Sequence, residues 1–291
     1  MYLGLFMING YVCATDPSVA VAAATAAEAA GWESVWTGEH YVLPEPGVGR
    51  GPEADTPMLD PFIALANVAA HTRKLRLGSG LTVVPLHHPL MLAKQIVSLD
   101  RISGGRFMFG AGVGYLQPEF DALGASMADR GDRTADYLDA MRAIWAGDRS
   151  FSSKHVSYEG VRAEPGPLRA GGPPLHFGGH VQRVFDRTVR QADGWYGWEL
   201  SPERTQTALD GLRKAAADNE RPAGMGEIEI SVTPPTQVPL DDKLIDAYAE
   251  LGVDRLIVVP PRKAHDNADE LGRFVERMGD RIASHPALTP A

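Results

Sequence analysis

Cysteine is almost absent from this chain. The single residue Cys13 among 291 permits no internal disulfide and no cysteine-based metal cluster. Basic residues are also few: 28 Lys and Arg stand against 37 Asp and Glu, and the net charge of −9 argues against a general nucleic-acid binder. No apolar run is long enough to span a membrane, and the first residues lack the basic segment of a signal peptide. We therefore expect a cytoplasmic protein that binds neither nucleic acid nor membrane.

The chain shows a regular alternation of strand-like and helix-like segments. Three helices are predicted from a capping residue followed by proline at the first helical position: Asp16-Pro17, Asp60-Pro61 and Ser201-Pro202. Eight strand-like runs alternate with helices, and no Rossmann-type glycine pattern follows the first of them. These features favour an α/β fold of the (β/α)8 TIM-barrel type over an open doubly wound sheet. The length suits a single barrel domain over residues 1–291.

The alternation breaks once, between residues 148 and 174. This stretch is rich in glycine and proline and predicts an insertion with a hairpin around residues 158–160. Residues 284–291 are predicted to form a loose tail.

One strand ends in a run of glycines that indicates a ligand site. Ser103-Gly104-Gly105 predicts the end of a helix, because glycine adopts the left-handed C-cap conformation at little cost. The apolar run that follows predicts a buried parallel strand. Gly110, Gly112 and Gly114 come at its C-terminal end, which is the end where a TIM barrel binds its ligand.

His40, which follows the predicted second strand, is the leading catalytic candidate. Imidazole donates or accepts a proton easily near neutral pH, although a histidine here can also simply hold a loop. Glu39 either orients His40 or stabilises the loop, and the structural role is favoured. His87 and His88 are adjacent, do not face one site well and have no third ligand at useful spacing, so no metal site is expected.

A second predicted site is a helix start near Val181. Gly178, Gly179 and His180 precede it, and the free N–H groups of a helix start favour an anion. Arg183, Arg187 and Arg190 follow at helical spacing and form one stripe. The stripe either contacts a phosphate or acidic tail or is a solvated face; Arg183, in the first turn, is the best candidate for a ligand contact.

Several of these segments together match a known family in order and spacing. They are residues 29–36 with Glu39 and His40, 75–82, 99–120 with Gly124 and Arg130, 177–179, and 192–195. In these segments the chain resembles the luciferase-like monooxygenase superfamily, and within it the actinobacterial-type oxidoreductases that use the deazaflavin coenzyme F420.

The resemblance implies a barrel with an insertion after its fourth helix and a deazaflavin or flavin in the barrel mouth. It implies a non-proline cis peptide bond at Gly80–Leu81 and an active-site role for His40. It also suggests a homodimer formed through the helices near the second and third strands. The expected cofactor-binding residues are Asn9, Glu39, Ser79, Gly80, Leu81, Gly112, Gly114, Gly178, Gly179, His180 and Arg183.

Tyr115 departs from one branch of the family. Sugar-phosphate dehydrogenases of this group carry an acidic proton donor at that position, so oxidation of a sugar phosphate is not expected here. Tyr115 becomes the second catalytic candidate, as a donor of a hydrogen bond or a proton. The predicted function is F420-dependent hydride transfer to or from a small organic substrate. The alternatives are an FMN-dependent monooxygenase and a non-catalytic carrier of a flavin or deazaflavin.

Overall fold

Eight parallel strands form a closed barrel in the computed structural model, which describes residues 1–47 and 51–291. The barrel order is β3-β2-β1-β11-β10-β9-β8-β5, and pairing of β3 with β5 closes it, as the sequence predicts. The short β4 also pairs with β5, whereas β6 and β7 form a separate hairpin. The strands are β1 Tyr2–Leu5, β2 Ser34–Thr37, β3 Arg76–Ser79, β4 Thr82–Val83, β5 Phe107–Gly112, β6 Phe151–Ser152, β7 Ser157–Tyr158, β8 Leu175–Gly178, β9 Gly194–Gly197, β10 Glu229–Val232 and β11 Arg255–Val258.

Helices cover the outside of the barrel. They are α1 Val12–Thr15, α2 Pro17–Ala29, α3 Pro61–His71, α4 Pro89–Ser103, α5 Gln117–Ala122, α6 Arg130–Ala146, α7 Gln182–Gln191, α8 Pro202–Asp218, α9 Asp242–Glu250 and α10 Ala268–Ser284. The cap-and-proline starts are confirmed: the Asp60 carboxylate, for example, accepts the backbone N–H groups of Phe62 and Ile63. None of the described helices combines the length and apolar composition needed to cross a membrane.

Strand alternation divides the buried side chains into two layers. A large cluster fills the space between the strands and the helices. A smaller cluster lies inside the barrel and consists of Phe6, Trp36, Met108, Tyr196 and Ile257. The inner layer fills the space enclosed by the strands, so the barrel interior itself has no room for a ligand among the described residues.

A buried ion pair lies inside the barrel, near the N-terminal ends of the strands. Arg255, only 1% exposed, donates from Nε and Nη2 to the Glu33 carboxylate at 2.7 Å each, and its Nη1 donates to Ser231 Oγ at 2.9 Å. Burial alone would raise the pKa of Glu33, but the charges of Arg255 and Arg76 outweigh it and hold that pKa at about 2. This ion pair supports the barrel and lies far from the C-terminal strand ends, where a ligand is expected.

His176 makes the folding stability sensitive to pH. Neither ring nitrogen of this fully buried residue has a hydrogen-bond partner among the described residues, and burial with the nearby Arg255 lowers its pKa from 6.5 to about 3. Between these values the unfolded chain binds a proton that the folded chain does not, so the free energy of unfolding falls as pH falls. The Glu33 contribution is lost only below its ordinary value of 4.5.

We expect His176→Leu to flatten this dependence. Between about pH 6.5 and 4.5, the wild-type histidine contributes a slope of up to about 1.4 kcal/mol per pH unit, which the variant lacks. Urea unfolding at several pH values measures it. His71→Leu, at an exposed histidine, is the control and should keep the wild-type slope. If the free energy of unfolding depends on pH equally in His176→Leu and His71→Leu, the dependence does not come from His176.

The structure corrects the predicted hairpin and the predicted tail. The hairpin turn lies at residues 153–156, where Ser153 N–H donates to Val156 O, and not around residues 158–160. His155 lies between two carboxylates of the α6 region, 2.7 Å from Asp136 and 3.0 Å from Asp129. These contacts position the hairpin, and the composition of the segment alone did not indicate them.

The tail is not loose. Leu288 is buried, Thr289 N–H donates to Met1 O at 3.0 Å, and Ala291 N–H donates to Gly31 O at 3.1 Å. The tail is therefore fixed between β1 and the end of α2. Its backbone partners, Met1 and Gly31, lie far away in sequence, so the terminal position alone predicted the wrong outcome.

Candidate active site

Strained backbone positions mark one end of the barrel. Three non-glycine residues among those described have positive φ: Met7 at 63°, Tyr11 at 55° and Glu199 at 49°. All three follow the C-terminal ends of β1 or β9. Such strain concentrates where function requires a particular loop shape, and this is the end at which barrel enzymes bind substrate.

His40 belongs to a chain of three side chains at this mouth. Its Nδ1 lies 3.0 Å from Glu119 Oε2, and its Nε2 lies 3.3 Å from the Tyr115 hydroxyl. Glu119 is 2% exposed, whereas Tyr115 is 52% exposed. The second Glu119 oxygen accepts the Tyr41 N–H at 2.7 Å, which fixes the carboxylate. The chain therefore runs from a buried carboxylate, through imidazole, to a phenol at the surface.

This arrangement assigns donor and acceptor roles. A buried carboxylate next to Nδ1 favours the proton on that nitrogen, which leaves Nε2 as an acceptor in neutral imidazole. Partial burial, together with the Glu119 charge, raises the pKa of Tyr115, so its phenol is protonated at neutral pH. Tyr115 can donate to His40 or to a ligand at the mouth, and His40 can take up and release a proton there.

Sequence reasoning did not assign a role to Glu119. It lies in the first turn of the short helix α5, after Pro118 at the second helical position. Proline near a helix start and an acidic residue in the first turn form a recognisable signal. That signal predicts a helix within the glycine-rich loop. The contact with His40, 79 residues earlier, forms only because the barrel brings the two loops together.

Glu39 does not orient His40. Its carboxylate accepts the Val83 N–H at 2.5 Å and lies 3.1 Å from His87 Nε2. The Tyr41 hydroxyl lies 3.3 Å from the same His87 nitrogen. Glu39 is thus engaged with protein groups that join the β2 and β4 ends, which agrees with the structural role favoured from the sequence. Its contact with a cofactor stays a prediction.

Asn9 and Ser79 also bind backbone. Asn9 Nδ2 donates to Gly38 O and Leu59 O at 2.9 and 2.8 Å, and its Oδ1 accepts the Gly38 N–H. Ser79 Oγ donates to Gly110 O at 3.1 Å and accepts the Gly110 N–H at 3.0 Å. Both residues hold neighbouring strand ends together at the mouth.

The Gly80–Leu81 peptide bond is cis, which confirms the expectation from the family resemblance. Leu81 projects between two strand-end glycines. A Cβ at Gly178 would lie 1.9 Å from Leu81 Cδ1, and one at Gly112 would lie 3.2 Å from Leu81 Cβ. Both glycines therefore make room for Leu81, and their predicted contact with a cofactor remains a prediction.

Gly114 accommodates side chains of the protein in the same way. Its φ is +75°, and a Cβ there would lie 2.6 Å from a methyl group of Val83 and 2.7 Å from the Phe120 ring. Arg130 Nε donates to Gly114 O at 3.2 Å. The glycine loop is thereby fixed immediately before Tyr115.

We expect Gly178→Ala to destabilise the protein by about 1–3 kcal/mol, the usual cost of overpacking, because its methyl group must displace Leu81. In the Leu81→Ala background, the same change should cost less than about 1 kcal/mol. Chemical unfolding of the four proteins in this double-mutant cycle measures the difference. An equal cost in both backgrounds would show that Leu81 is not the obstacle.

Aromatic and apolar groups line the base of the mouth. The Phe6 and Trp198 rings lie 4.9 Å apart, and Tyr196 lies 6.4 Å from Trp198. A Cβ on Gly80 would lie 3.1 Å from Tyr196 and 3.2 Å from Phe6, so the Gly80–Leu81 bulge rests on these rings. Trp198 is 39% exposed and presents an aromatic surface at the mouth.

The helix start near residue 180 reaches the same end of the barrel. Gly179 has a φ of +133°, and its carbonyl accepts the Trp195 Nε1–H at 2.9 Å. No side chain caps the first turn of α7. Burial and the nearby Arg204 lower the pKa of His180, so that residue is neutral at pH 7. Arg183 is exposed and makes no hydrogen bond or ion pair with any described residue.

The three arginines of the predicted stripe lie in different surroundings. The Arg187 guanidinium lies over the Phe177 ring at 5.7 Å and donates to Gly131 O, so it packs against protein. Arg190 lies near the other end of α7 and lines a separate cavity next to α6. Only Arg183 stays at the mouth. Among residues 1–47 and 51–291, no group of three or more His, Cys, Asp or Glu residues could hold a metal ion.

Comparison with known proteins now identifies the family. Residues 7–287 match the family model described as luciferase-like monooxygenase. The chain belongs to this family. It is 35% identical over 274 residues to the 4-hydroxyprotoasukamycin monooxygenase of Streptomyces nodosus subsp. asukaensis, a match that covers 87% of this chain and 70% of that protein. This luciferase-like protein is an oxidoreductase.

Solved structures of the same fold include enzymes with two kinds of cofactor. An F420-dependent secondary alcohol dehydrogenase in complex with an F420-acetone adduct has a TM-score of 0.73 and 15% identity, over 95% of this chain and 99% of that one. The oxygenating constituent of 3,6-diketocamphane monooxygenase from Pseudomonas putida, in complex with FMN, has a TM-score of 0.75 and 14% identity, over 100% of this chain and 99% of that one. At these identities the likeness establishes the fold alone.

Proposed function

We propose that this protein is a coenzyme F420-dependent oxidoreductase that transfers a hydride between the deazaflavin and a small organic substrate. The observation that carries the proposal is the Tyr115–His40–Glu119 chain at the barrel mouth. Hydride transfer to or from an oxygen-bearing carbon requires a partner that moves a proton. The three hydrogen-bonded side chains can take up and deliver that proton.

The residues at the mouth fit a planar, anionic cofactor. Trp198, Phe6 and Leu81 offer an apolar base for a ring system. The uncapped first turn of α7 leaves N–H groups for a phosphate. Arg183 offers an unpaired positive charge beside that turn, in a chain whose net charge is −9. Coenzyme F420 carries a phosphate and an acidic oligoglutamate tail, and these groups match the available donors.

When bound, the deazaflavin accepts or supplies the hydride. In the oxidation of an alcohol to a carbonyl compound, His40 Nε2 would take the hydroxyl proton. Tyr115 donates a hydrogen bond to the substrate oxygen, and Glu119 stabilises the imidazolium that forms. In the reverse reaction His40 returns the proton to that oxygen.

The second candidate is an FMN-dependent monooxygenase. The 35%-identical relative is a monooxygenase, which favours this reading. The same mouth would bind reduced flavin and a substrate that receives one atom of molecular oxygen. A non-catalytic carrier is disfavoured, because a carrier has no need of a buried carboxylate behind His40.

Turnover with and without oxygen separates these functions. The substrate panel consists of secondary alcohols with oxidised F420, and aldehydes, ketones and conjugated carbonyl compounds with reduced F420. We expect turnover under anaerobic conditions, with one cofactor converted per substrate. Turnover only with reduced FMN and oxygen would instead establish the monooxygenase. Bound cofactor without turnover of any panel member would support the carrier.

We also propose that the protein forms a homodimer through α3 and α4. These helices pack against each other, and each exposes a large apolar side chain in its first turn: Ile63 is 72% exposed and Met91 is 67% exposed. We expect the double variant Ile63→Glu and Met91→Glu to sediment as a monomer, because charges in an apolar interface oppose association. Ile102→Glu, at the opposite end of α4, is the control. Unchanged sedimentation of the double variant would place the interface elsewhere.

A further inference from the structure

A second cavity lies away from the mouth, at the N-terminal side of β8 and β9. Its volume is about 290 Å³, and it opens between α6, the last turn of α7 and the segment that returns from the insertion. A cavity about half this size can bind benzene. Arg190 lines it and lies about 10 Å along α7 from Arg183, so the cavity is distinct from the proposed cofactor site.

The inner wall of this cavity, hereafter the arginine cavity, is apolar. It consists of Phe109, Leu138, Trp145, Leu175 and Met225. The indole orientation is set, because Trp145 Nε1 donates to Ala93 O at 3.2 Å. Gly172, with φ +99°, lets the insertion segment lie directly on that ring: a Cβ there would be 2.6 Å from Trp145 Cζ3. The wall is therefore preformed.

The rim of the arginine cavity is positive. Arg142, Arg169 and Arg190 line it with a single acidic residue, Asp193, and the lining residues carry a net charge of +2. Asp139, just outside the lining, lies 3.6 Å from Arg142 and offsets part of that charge. Arg169 contacts both Asp193 oxygens, at 2.8 and 3.0 Å. Arg142 Nη1 donates to Gln191 Oε1 at 2.7 Å, and burial lowers its pKa. These two arginines are already held in place.

Arg190 is the least engaged of the three. Its Nε donates to Asp186 O at 3.2 Å, and its two terminal nitrogens have no hydrogen-bond partner among the described residues. Arg190 is exposed, so solvent water satisfies these nitrogens and the guanidinium is free to bind a ligand beside the apolar, preformed wall. A carboxylate would satisfy both terminal nitrogens in a bidentate contact.

From this arrangement we infer that the arginine cavity is a second binding site, for a small carboxylate with an aromatic or branched apolar body. The apolar body packs on Trp145, and the carboxylate binds Arg190 with support from Arg142. The site is independent of the cofactor and of the proposed reaction.

Binding of naphthoate tests this inference, with neutral naphthamide as the matched probe. The readout is the indole N–H signal of Trp145 in the ¹⁵N spectrum of the full chain, assigned with Trp145→Phe. We expect naphthoate to shift this signal with a dissociation constant of about millimolar or lower, and naphthamide to bind at least about tenfold more weakly. Saturating F420 or FMN should leave naphthoate affinity unchanged.

Two arginine variants locate the carboxylate. Arg190→Gln should weaken naphthoate binding about tenfold, whereas Arg213→Gln, at an exposed arginine on α8, should leave it unchanged. Equal affinities in the two variants would overturn the inference. So would equal binding of the two probes, or the absence of any Trp145 shift at millimolar naphthoate.

Discussion

His40→Ala is expected to lower turnover about a hundred- to ten-thousandfold, the range found when a general acid–base group is removed. The variant loses the only imidazole that contacts both Glu119 and Tyr115 among the described residues. Cofactor affinity should change little, because the phosphate donors belong to α7 and the base of the mouth is apolar. Steady-state kinetics and cofactor titration of the same preparation measure the two effects separately.

His71→Ala is the control for this substitution. His71 is exposed at the end of α3, and its ring contacts only the Asn67 carbonyl. Its turnover should remain at the wild-type level. Wild-type turnover in His40→Ala would remove His40 from the reaction, and a matched loss of cofactor affinity would show that it serves binding instead.

Glu119→Gln is expected to lower turnover by about ten- to ten-thousandfold, and the upper end is the loss found when the carboxylate behind a catalytic histidine becomes an amide. The amide can donate to His40 Nδ1, which would move the ring proton to Nε2 and remove the acceptor that faces Tyr115. Glu119 acts through His40, so a change of tautomer in the His40 ¹⁵N spectrum should accompany the lost activity. Cofactor affinity should stay near that of the wild type.

Asp121→Asn is the matched control, because it makes the same change on the same short helix at an exposed residue that binds only Gln117. Asp121→Asn should preserve both the His40 tautomer and the wild-type turnover. If Glu119→Gln loses activity with an unchanged His40 tautomer, Glu119 has a purely structural role through the Tyr41 N–H.

Most of the barrel was predictable because its signals are local. Asp60-Pro61 starts a helix wherever it occurs in the fold, and Gly104 ends α4 at φ +68° as expected of a C-cap glycine. The hairpin and the tail were not predictable in the same way. The turn before β7 depends on His155 meeting carboxylates of the α6 region, and the tail depends on contacts with Met1 and Gly31.

The residues of the candidate site show the same difference between local and long-range signals. His40 is predictable because it follows a predicted strand end, and Tyr115 because it stands where some relatives carry an acid. The structure brings the two side chains to 3.3 Å. The role of Glu119 could not be predicted without knowing which loops meet at the barrel mouth. The glycines were recognised as points of close approach, but the side chain that approaches Gly112 and Gly178 is Leu81. Helical spacing grouped Arg190 with Arg183, although the length of α7 separates their surroundings.

Parallel fluorescence titration of the purified chain with F420 and with FMN tests the central claim most directly. The account predicts micromolar or tighter binding of F420, weaker binding of FMN, and a larger loss of affinity for F420 than for FMN in Arg183→Gln, because only F420 adds an acidic tail to the phosphate. Micromolar binding of FMN with no binding of F420 would contradict it.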